Sequence, residues 1–196
     1  AESWEAGLPR GCRYSLRRAR RAAADGNFTV SVRPISGEEA PHSSLSHFRC
    51  VVQHELRAFL RRHEERDVPS VEGFLDTICE AVERFVITTR MVGDIYEYRN
   101  ASGHVVAFLH EVRKGRTTRA QWFYATDEAA RGFIWFHCLQ DLVYRGAAEA
   151  DIDTVDIGPN GSDGKSDVYA ELKSRYGFAL VEDWPLVANY RGPFWR

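Results

Sequence analysis

Residues 117–178 alternate strand-like and helix-like segments, and this alternation restricts the possible folds more than any other feature of the sequence. The segments are a strand over Thr117–Thr126, a helix over about 127–145 that is apolar nearly all round and ends at Gly146, a strand over Ile152–Ile157, a polar loop over Gly158–Asp167 and a helix over 167–176. Strands that alternate with helices favour parallel pairing through crossover connections. Because ligands of such units bind beyond the carboxyl ends of the strands, we expect ligand contacts near Ala125–Asp127 and near Gly158–Asp167.

The chain before residue 117 predicts a helical first part followed by an antiparallel hairpin. Residues 1–11 have the composition of a linker or tail, and helical spacing predicts a basic helix from Cys12 to about Ala23 and helices over about 45–64 and 70–85. A period of two predicts strands over 27–33, 86–90, 93–99, 104–113 and, after the last helix, 178–187. The tight turn Asn100–Gly103 joins 93–99 to 104–113. The same period places Ala120, Trp122 and Tyr124 on one face of their strand. We therefore expect one α/β domain over residues 12–196, with a mixed, mostly antiparallel sheet flanked by helices.

Composition excludes few functions but limits the partners that we expect. The chain has 196 residues, of which 44% are hydrophobic, and its formal net charge is -2. This charge favours neither a nucleic acid nor a membrane surface, so a nucleic-acid partner is not expected, and no apolar run approaches membrane-spanning length. Four scattered cysteines without a CxxC pair predict no metal site and a reducing, intracellular compartment. Since the chain begins at Ala1, we expect the cytoplasm, or an organelle after removal of a targeting peptide.

Several side chains around the two strand ends are candidates for chemistry. Gly158–Lys173 is rich in glycine, hydroxyl and lysine residues and leads into a helix, so Gly161 and Lys165 are candidate anion ligands, although Pro159 breaks the P-loop pattern. Asp156 is a candidate base at its strand end, and Tyr169 is a candidate acid. On the hairpin, His110 and Glu111 are neighbours, so only one of them can face a given cleft. The arginines of the first helix are either a solvated face or a contact for an anionic ligand.

The order of elements resembles the GNAT acetyltransferase fold, and three motifs carry the resemblance. Asp127–Gly146 resembles the long helix after that fold's fourth strand. Val155-Asp156-Ile157-Gly158 is similar to the "DLG" strand end of the branch that holds the BioF2/CelD-like acyltransferases and the FemAB-type aminoacyl transferases. Glu171–Gly177 resembles that branch's "YKxxFG" helix, with Lys173 at the lysine and Leu172 in place of the tyrosine. The arginine-rich helix near the amino terminus is also similar to one found in these proteins.

The resemblance implies a site and a co-substrate. It implies that backbone N–H groups near Tyr124 and Ala125 stabilise the oxyanion of an acyl group. It implies that the pyrophosphate of acetyl-CoA, or of another acyl-CoA, binds at the loop that holds Arg131 and Gly132. Lys173 would assist the oxyanion, and Asp156 or Glu111 would act as base.

Two functional hypotheses follow. In the first, the chain is an acyltransferase that moves an acyl group from a thioester to a small-molecule or peptide amine or hydroxyl by direct attack, since no serine or cysteine stands in a nucleophile motif. A variant of this hypothesis takes the acyl group from aminoacyl-tRNA, as FemAB-type enzymes do. In the second, the chain is a degenerate GNAT-like domain that acts as a non-catalytic interaction or assembly subunit. The acidic pair Asp127-Glu128 favours the second hypothesis, as does a carboxyl-terminal aromatic tail that is a candidate protein contact; the tail comprises Trp184, Tyr190, Phe194 and Trp195.

Overall fold

The structure, a computed structural model, describes residues 2–27, 29–35, 45–63, 70–90, 93–158 and 166–179. The α-helices in these ranges are α1 (Glu2–Gly7), α2 (Arg10–Ala22), α3 (Leu45–His63), α4 (Val71–Arg90), α5 (Asp127–Arg131), α6 (Ile134–Ala148) and α7 (Ser166–Arg175), and a π-helical turn over Ala23–Asn27 follows α2. The strands are β1 (Thr29–Ile35), β2 (Gly93–Arg99), β3 (Val105–Lys114), β4 (Thr117–Ala125) and β5 (Thr154–Asp156). The predicted order of helices and strands is confirmed except at the places given below.

The described strands form one mixed sheet in the order β1-β2-β3-β4-β5. The first four pair antiparallel, and β5 pairs parallel to β4. The expected hairpin over 93–99 and 104–113 and the expected parallel crossover are therefore both present. The crossover from β4 to β5 runs through α5 and α6, which brings the carboxyl ends of these two strands to the same edge of the sheet.

Helices cover both faces of the sheet. On one face, α3 contributes Cys50 and Val51 to a cluster with sheet residues; these are Ile95, Val105, Phe108 and Tyr124. On the other face, α6 contributes Ile134, Cys138 and Leu142 to a cluster with another sheet set, which includes Tyr96, Tyr98, Ala107 and Leu109. The sheet is thus the middle layer of the domain.

The amino-terminal residues form a packed helix where a linker is predicted. Trp4 donates its indole N–H to the carbonyl oxygen of Tyr176 at 2.8 Å. Leu8 and the buried face of α2 form a third cluster against α6; the members are Leu8, Cys12, Leu16, Leu139, Val143 and Tyr176. The composition of residues 1–11 predicts a linker because only one tryptophan and one leucine anchor α1, and two apolar residues do not form a recognisable helical pattern.

A β-bulge in β4 changes which side chains share a face. His110 pairs with Trp122 while Glu111 pairs with Ala120, so Gln121 is an extra residue opposite this pair. Ala120 packs with the α6-side cluster, whereas Trp122 packs with the α3-side cluster. The prediction that Ala120 shares a face with Trp122 and Tyr124 is therefore wrong, because one extra residue inverts the alternation.

Two predicted element boundaries also change. Residues 86–90 continue α4 and do not form a strand, since extending a helix costs no new nucleus even through β-branched residues. The predicted helix over 127–145 is two helices, because Phe133 has a φ of 66° between α5 and α6. Gly146 lies inside α6, where a Cβ would be 2.5 Å from Val155 Cγ2, so this glycine permits close packing on β5. The predicted strand over 178–187 lies outside the described residues from 180 onward.

Candidate functional site

The sheet opens between β4 and β5 directly after the bulge. The parallel ladder joins only Thr117–Arg119 of β4 to β5, whereas β4 continues to Ala125. Among the described strands, none therefore pairs with the carboxyl half of β4 on the β5 side. The last contact before the gap is tight: Gly158 has a φ of +83°, and a Cβ there would be 2.4 Å from the carbonyl oxygen of Ala120. Within the described residues, this gap leaves polar backbone groups of β4 without a strand partner.

Three charged side chains meet beside this gap. The Arg119 Nε lies 3.6 Å from Asp156 Oδ2, and these two residues are opposite each other in the ladder. Asp156 Oδ1 accepts a hydrogen bond from the Gly158 N–H at 2.8 Å. Lys173, on α7, donates from Nζ to the carbonyl oxygen of Gly158 at 2.7 Å. The structure thus brings together Asp156 and Lys173, both predicted as site residues, and adds Arg119, which the sequence analysis missed.

The environment of Lys173 lowers the pKa of its ammonium group. Burial lowers the pKa of its ammonium group from 10.5 to about 8; Asp156 opposes this change, and Arg119 adds to it. Burial likewise lowers the pKa of Arg119, which stays protonated. A lysine with a pKa near 8 can hold a proton at neutral pH and still release it to a basic leaving group.

Tyr124 and Ala125 lie at the carboxyl end of β4, as predicted, and both are buried. The Tyr124 ring contacts Phe108 and His54 at centroid distances of 5.3 and 5.4 Å. The carbonyl oxygen of Ala125 accepts a hydrogen bond of 3.2 Å from Arg57 on α3. Tyr124 is therefore packed in the core on the α3 side, and α3 holds the carboxyl end of β4 in place.

The amino terminus of α5 is already bound by protein groups. The Asp127 N–H donates to Gln53 Oε1 at 3.1 Å, and the Ala129 N–H donates to Thr126 Oγ1 at 3.4 Å. Arg57 also pairs with the Asp127 carboxylate at 2.5 Å. Gln53 and Arg57 precede Asp127 by about seventy residues, and no local pattern in the sequence indicates this contact.

Arg131 is exposed in the last turn of α5, and Gly132 follows it as the C-cap. Neither lies at the start of α5, the helix that directly follows β4. The exposed acids Asp127 and Glu128 occupy that first turn, and carboxylates there repel an anionic ligand.

Glu111 belongs to a different part of the molecule from Asp156. It accepts a hydrogen bond from Thr118 and pairs with Arg145 on α6 at 2.6 Å. Thr118 precedes Arg119 on β4, so their side chains point to opposite faces of the sheet. Burial acts against the charge of Arg145, but the carboxylates of Glu111 and Asp141 raise its pKa overall. Glu111 is thus a buried ion-pair partner beneath α6 and does not meet Asp156.

The remaining predicted site residues are less fully described. Position 169 lies within α7, and its side chain is not among the described ones. Gly161, Lys165 and the aromatic tail beyond residue 179 lie outside the described residues. No described helix is long and apolar enough to cross a bilayer.

Comparison with known proteins gives the family. Residues 10–167 match the family model described as "Acetyltransferase (GNAT) domain", which covers most of the chain. The chain therefore belongs to the GNAT acetyltransferase family, and the chemistry associated with that family is acyl transfer. No curated protein sequence matches it.

A solved structure with a TM-score above 0.5 shares this fold. The L-PGS structure from Bacillus licheniformis is 12% identical with a TM-score of 0.52, over 89% of this chain and 55% of that one. This chain thus spans about half the length of that protein. A possible acetyltransferase from Clostridium difficile 630 is 13% identical with a TM-score of 0.42, over 79% and 95% of the two chains. The PaiA N-acetyltransferase from Thermoplasma acidophilum, in complex with coenzyme A, is 12% identical with a TM-score of 0.42, over 73% and 88%.

Proposed function

We propose that this protein transfers an acyl group from an acyl-CoA thioester to an amine or hydroxyl of a small molecule or peptide by direct attack. The observation that carries the proposal is the gap between β4 and β5 with Lys173 and Asp156 beside it. We also assign the chain to the BioF2/CelD-like and FemAB-type branch, because Lys173 of the YKxxFG-like helix reaches the end of the DLG-like strand at Gly158.

The gap supplies the electrostatic part of the reaction. The acyl carbonyl lies against the carboxyl half of β4, where backbone N–H groups face no described strand. As the acceptor attacks the carbonyl carbon, the π electron pair moves to the oxygen and forms an oxyanion. Backbone donors and the half-buried Lys173 ammonium stabilise that charge, and their fixed positions make them effective in a partly dry site.

Asp156 and Lys173 carry the protons. The Asp156 carboxylate accepts the proton from the attacking amine or hydroxyl, and the partly exposed position of Asp156 leaves it open to an acceptor. When the intermediate collapses, the carbon–sulfur bond breaks and the thiolate leaves with the electron pair. Lys173 donates a proton to that thiolate, and its pKa of about 8 lies close to that of a thiol.

The donor's phosphates require a separate assignment, because Gln53, Arg57 and two carboxylates occupy the start of α5. We propose Arg131 and the segment Gly158–Lys173, which includes Gly161 and Lys165 and the first turns of α7, as the groups that hold them. Tyr169 stays a candidate acid on α7.

A ligand-dependent stability measurement tests the donor first. At one hundred times its Kd, an acyl-CoA stabilises the fold by about 2.7 kcal/mol, which for a chain of this size raises Tm by roughly 5–11 °C. We expect this rise with acetyl-CoA or a longer acyl-CoA, together with release of free thiol when amines are added. No rise with any acyl-CoA and no thiol release would refute the CoA proposal and favour a non-catalytic interaction subunit.

Single substitutions then separate binding from chemistry. Lys173→Met is expected to abolish thiol release and keep most of the Tm rise, whereas Arg131→Ala is expected to reduce the Tm rise. Lys114→Met and Arg113→Ala are matched controls, since both residues are exposed at the far end of β3. Wild-type thiol release in Lys173→Met would contradict its catalytic role.

A further inference from the structure

We propose that the outward face of α2 is a binding surface for the phosphate backbone of a nucleic acid strand. Six of the thirteen residues of α2 are arginines, and none is acidic. The whole chain has a net charge of -2, so the rest of it carries eight negative charges in excess. The overall charge therefore conceals a strong segregation, which an expectation drawn from net charge alone does not take into account.

Packing fixes the orientation of the helix. Cys12, Leu16 and Ala19 are buried against α6, so the opposite face must point outward. A helix advances 100° and 1.5 Å per residue, so Arg10, Tyr14, Arg17 and Arg21 form one stripe of about 16 Å. All four are exposed, and Arg13, Arg18 and Arg20 flank them. A stripe of this length spans several phosphates of a single strand.

Most of this positive charge has no carboxylate opposite it in the described part of the chain. Arg20 pairs with Glu5 at 2.5 Å. Arg13 and Arg17 donate to the carbonyl oxygens of Ala6 and Arg13, and Arg18 lies over the Phe133 ring at 4.2 Å. Like charges four residues apart, such as Arg13 with Arg17 and Arg17 with Arg21, destabilise an isolated helix. An external polyanion removes this repulsion.

The residue types favour a nucleic acid over other polyanions. Every cation of the surface is arginine, whose planar guanidinium forms paired hydrogen bonds with phosphate and stacks on bases. Tyr14 lies between Arg10 and Arg17 and is 59% exposed, so its ring is free to stack on a base. An anionic membrane fits less well, because the apolar face of α2 is already buried and cannot enter a bilayer.

Fluorescence anisotropy with a labelled single-stranded RNA of about 16 nucleotides tests the surface, since this length is the upper end of the single-strand site sizes of OB folds and exceeds the length of α2. We expect binding, and a plot of the logarithm of the binding constant against the logarithm of the salt concentration should have the slope of several phosphate contacts. The double variant Arg17→Gln/Arg21→Gln should bind about ten-fold more weakly, with a slope smaller by about 1.4. Tyr14→Ala should weaken binding roughly five-fold or more. The matched control is Arg113→Gln/Arg116→Gln, which removes two exposed arginines at the turn between β3 and β4 and should bind as wild type.

Three results would overturn the proposal, and none depends on acyl transfer. One is the absence of RNA binding at low salt by a protein whose Tm shows that it is folded. A second is equal loss of binding in the α2 variant and in its control, which reports charge alone. The third is that the protein binds phosphatidylserine-containing vesicles or polyglutamate more tightly than RNA, while Tyr14→Ala binds RNA as wild type does. That result would assign the surface to a membrane or to an acidic protein.

Discussion

Gly158 is the most sensitive point of the proposed site, and Gly158→Ala is the change that tests it. The residue has a φ of +83°, and a Cβ would lie 2.4 Å from the Ala120 carbonyl oxygen, at least 0.6 Å inside the 3.0 Å limit of real Cβ contacts. The left-handed backbone costs an alanine about 1–2 kcal/mol. Forcing the end of β5 away from β4 adds about 1–3 kcal/mol, as overpacking does. The total destabilisation expected is about 2–5 kcal/mol.

Gly103→Ala is the matched control for that change. Gly103 has a φ of +78° but no heavy atom within 4 Å of a Cβ, so the control retains only the backbone strain of about 1–2 kcal/mol. Urea unfolding measures both variants. Gly158→Ala should also lose thiol release more than the control does, because the Gly158 carbonyl holds Lys173 and its N–H holds Asp156. Equal destabilisation and equal activity in the two variants would refute the close approach of β5 to β4.

Three further outcomes are expected. Activity should fall as pH rises through about 8, because Lys173 loses the proton that it donates. Arg119→Gln should move this fall to higher pH, because the charge of Arg119 lowers the pKa of Lys173; a fall at the same pH contradicts the assignment of Lys173 as the proton donor. His47 Nε2 lies 2.9 Å from Glu97 Oε1, and this contact lowers the pKa of Glu97 to about 2 despite the opposing effect of burial. The stability that the ionised Glu97 contributes is therefore complete above pH 4.5 and is lost between pH 4.5 and 2. An acid titration followed by circular dichroism should show that Glu97→Gln lacks this loss of stability; an unchanged acid transition argues against the contact between Glu97 and His47. Asp127→Asn should leave acyl-CoA binding unchanged by calorimetry, because Arg131 and the segment Gly158–Lys173 hold the phosphates; binding two- to five-fold tighter would instead place a phosphate at the start of α5.

Much of the fold is predictable because its signals are local. Helical spacing gives α2, α3 and α7 within a few residues, and the turn at Asn100–Gly103 gives the hairpin of β2 and β3. Where local signals compete, the prediction is wrong: the β-branched run at 86–90 has strand propensity, yet it continues a helix that already exists.

The candidate site is predictable only in part. Asp156 and Lys173 are found from their strand-end and helix motifs, and they lie together. Glu111 was predicted with them, but the β4 register places it on the other face with Arg145. Arg119 and Arg57 were missed, because each acts through a partner tens of residues away.

Spacing along single segments is enough to predict the order of helices and strands, the parallel crossover and the concentration of arginine on one helix face. The face of the sheet that each side chain occupies, and the charges that meet there, follow from the packed fold alone. They depend on the single extra residue at Gln121 and on the close contact at Gly158. Both depend on how two strands align in space, and a one-residue change in that alignment reverses every face that follows it.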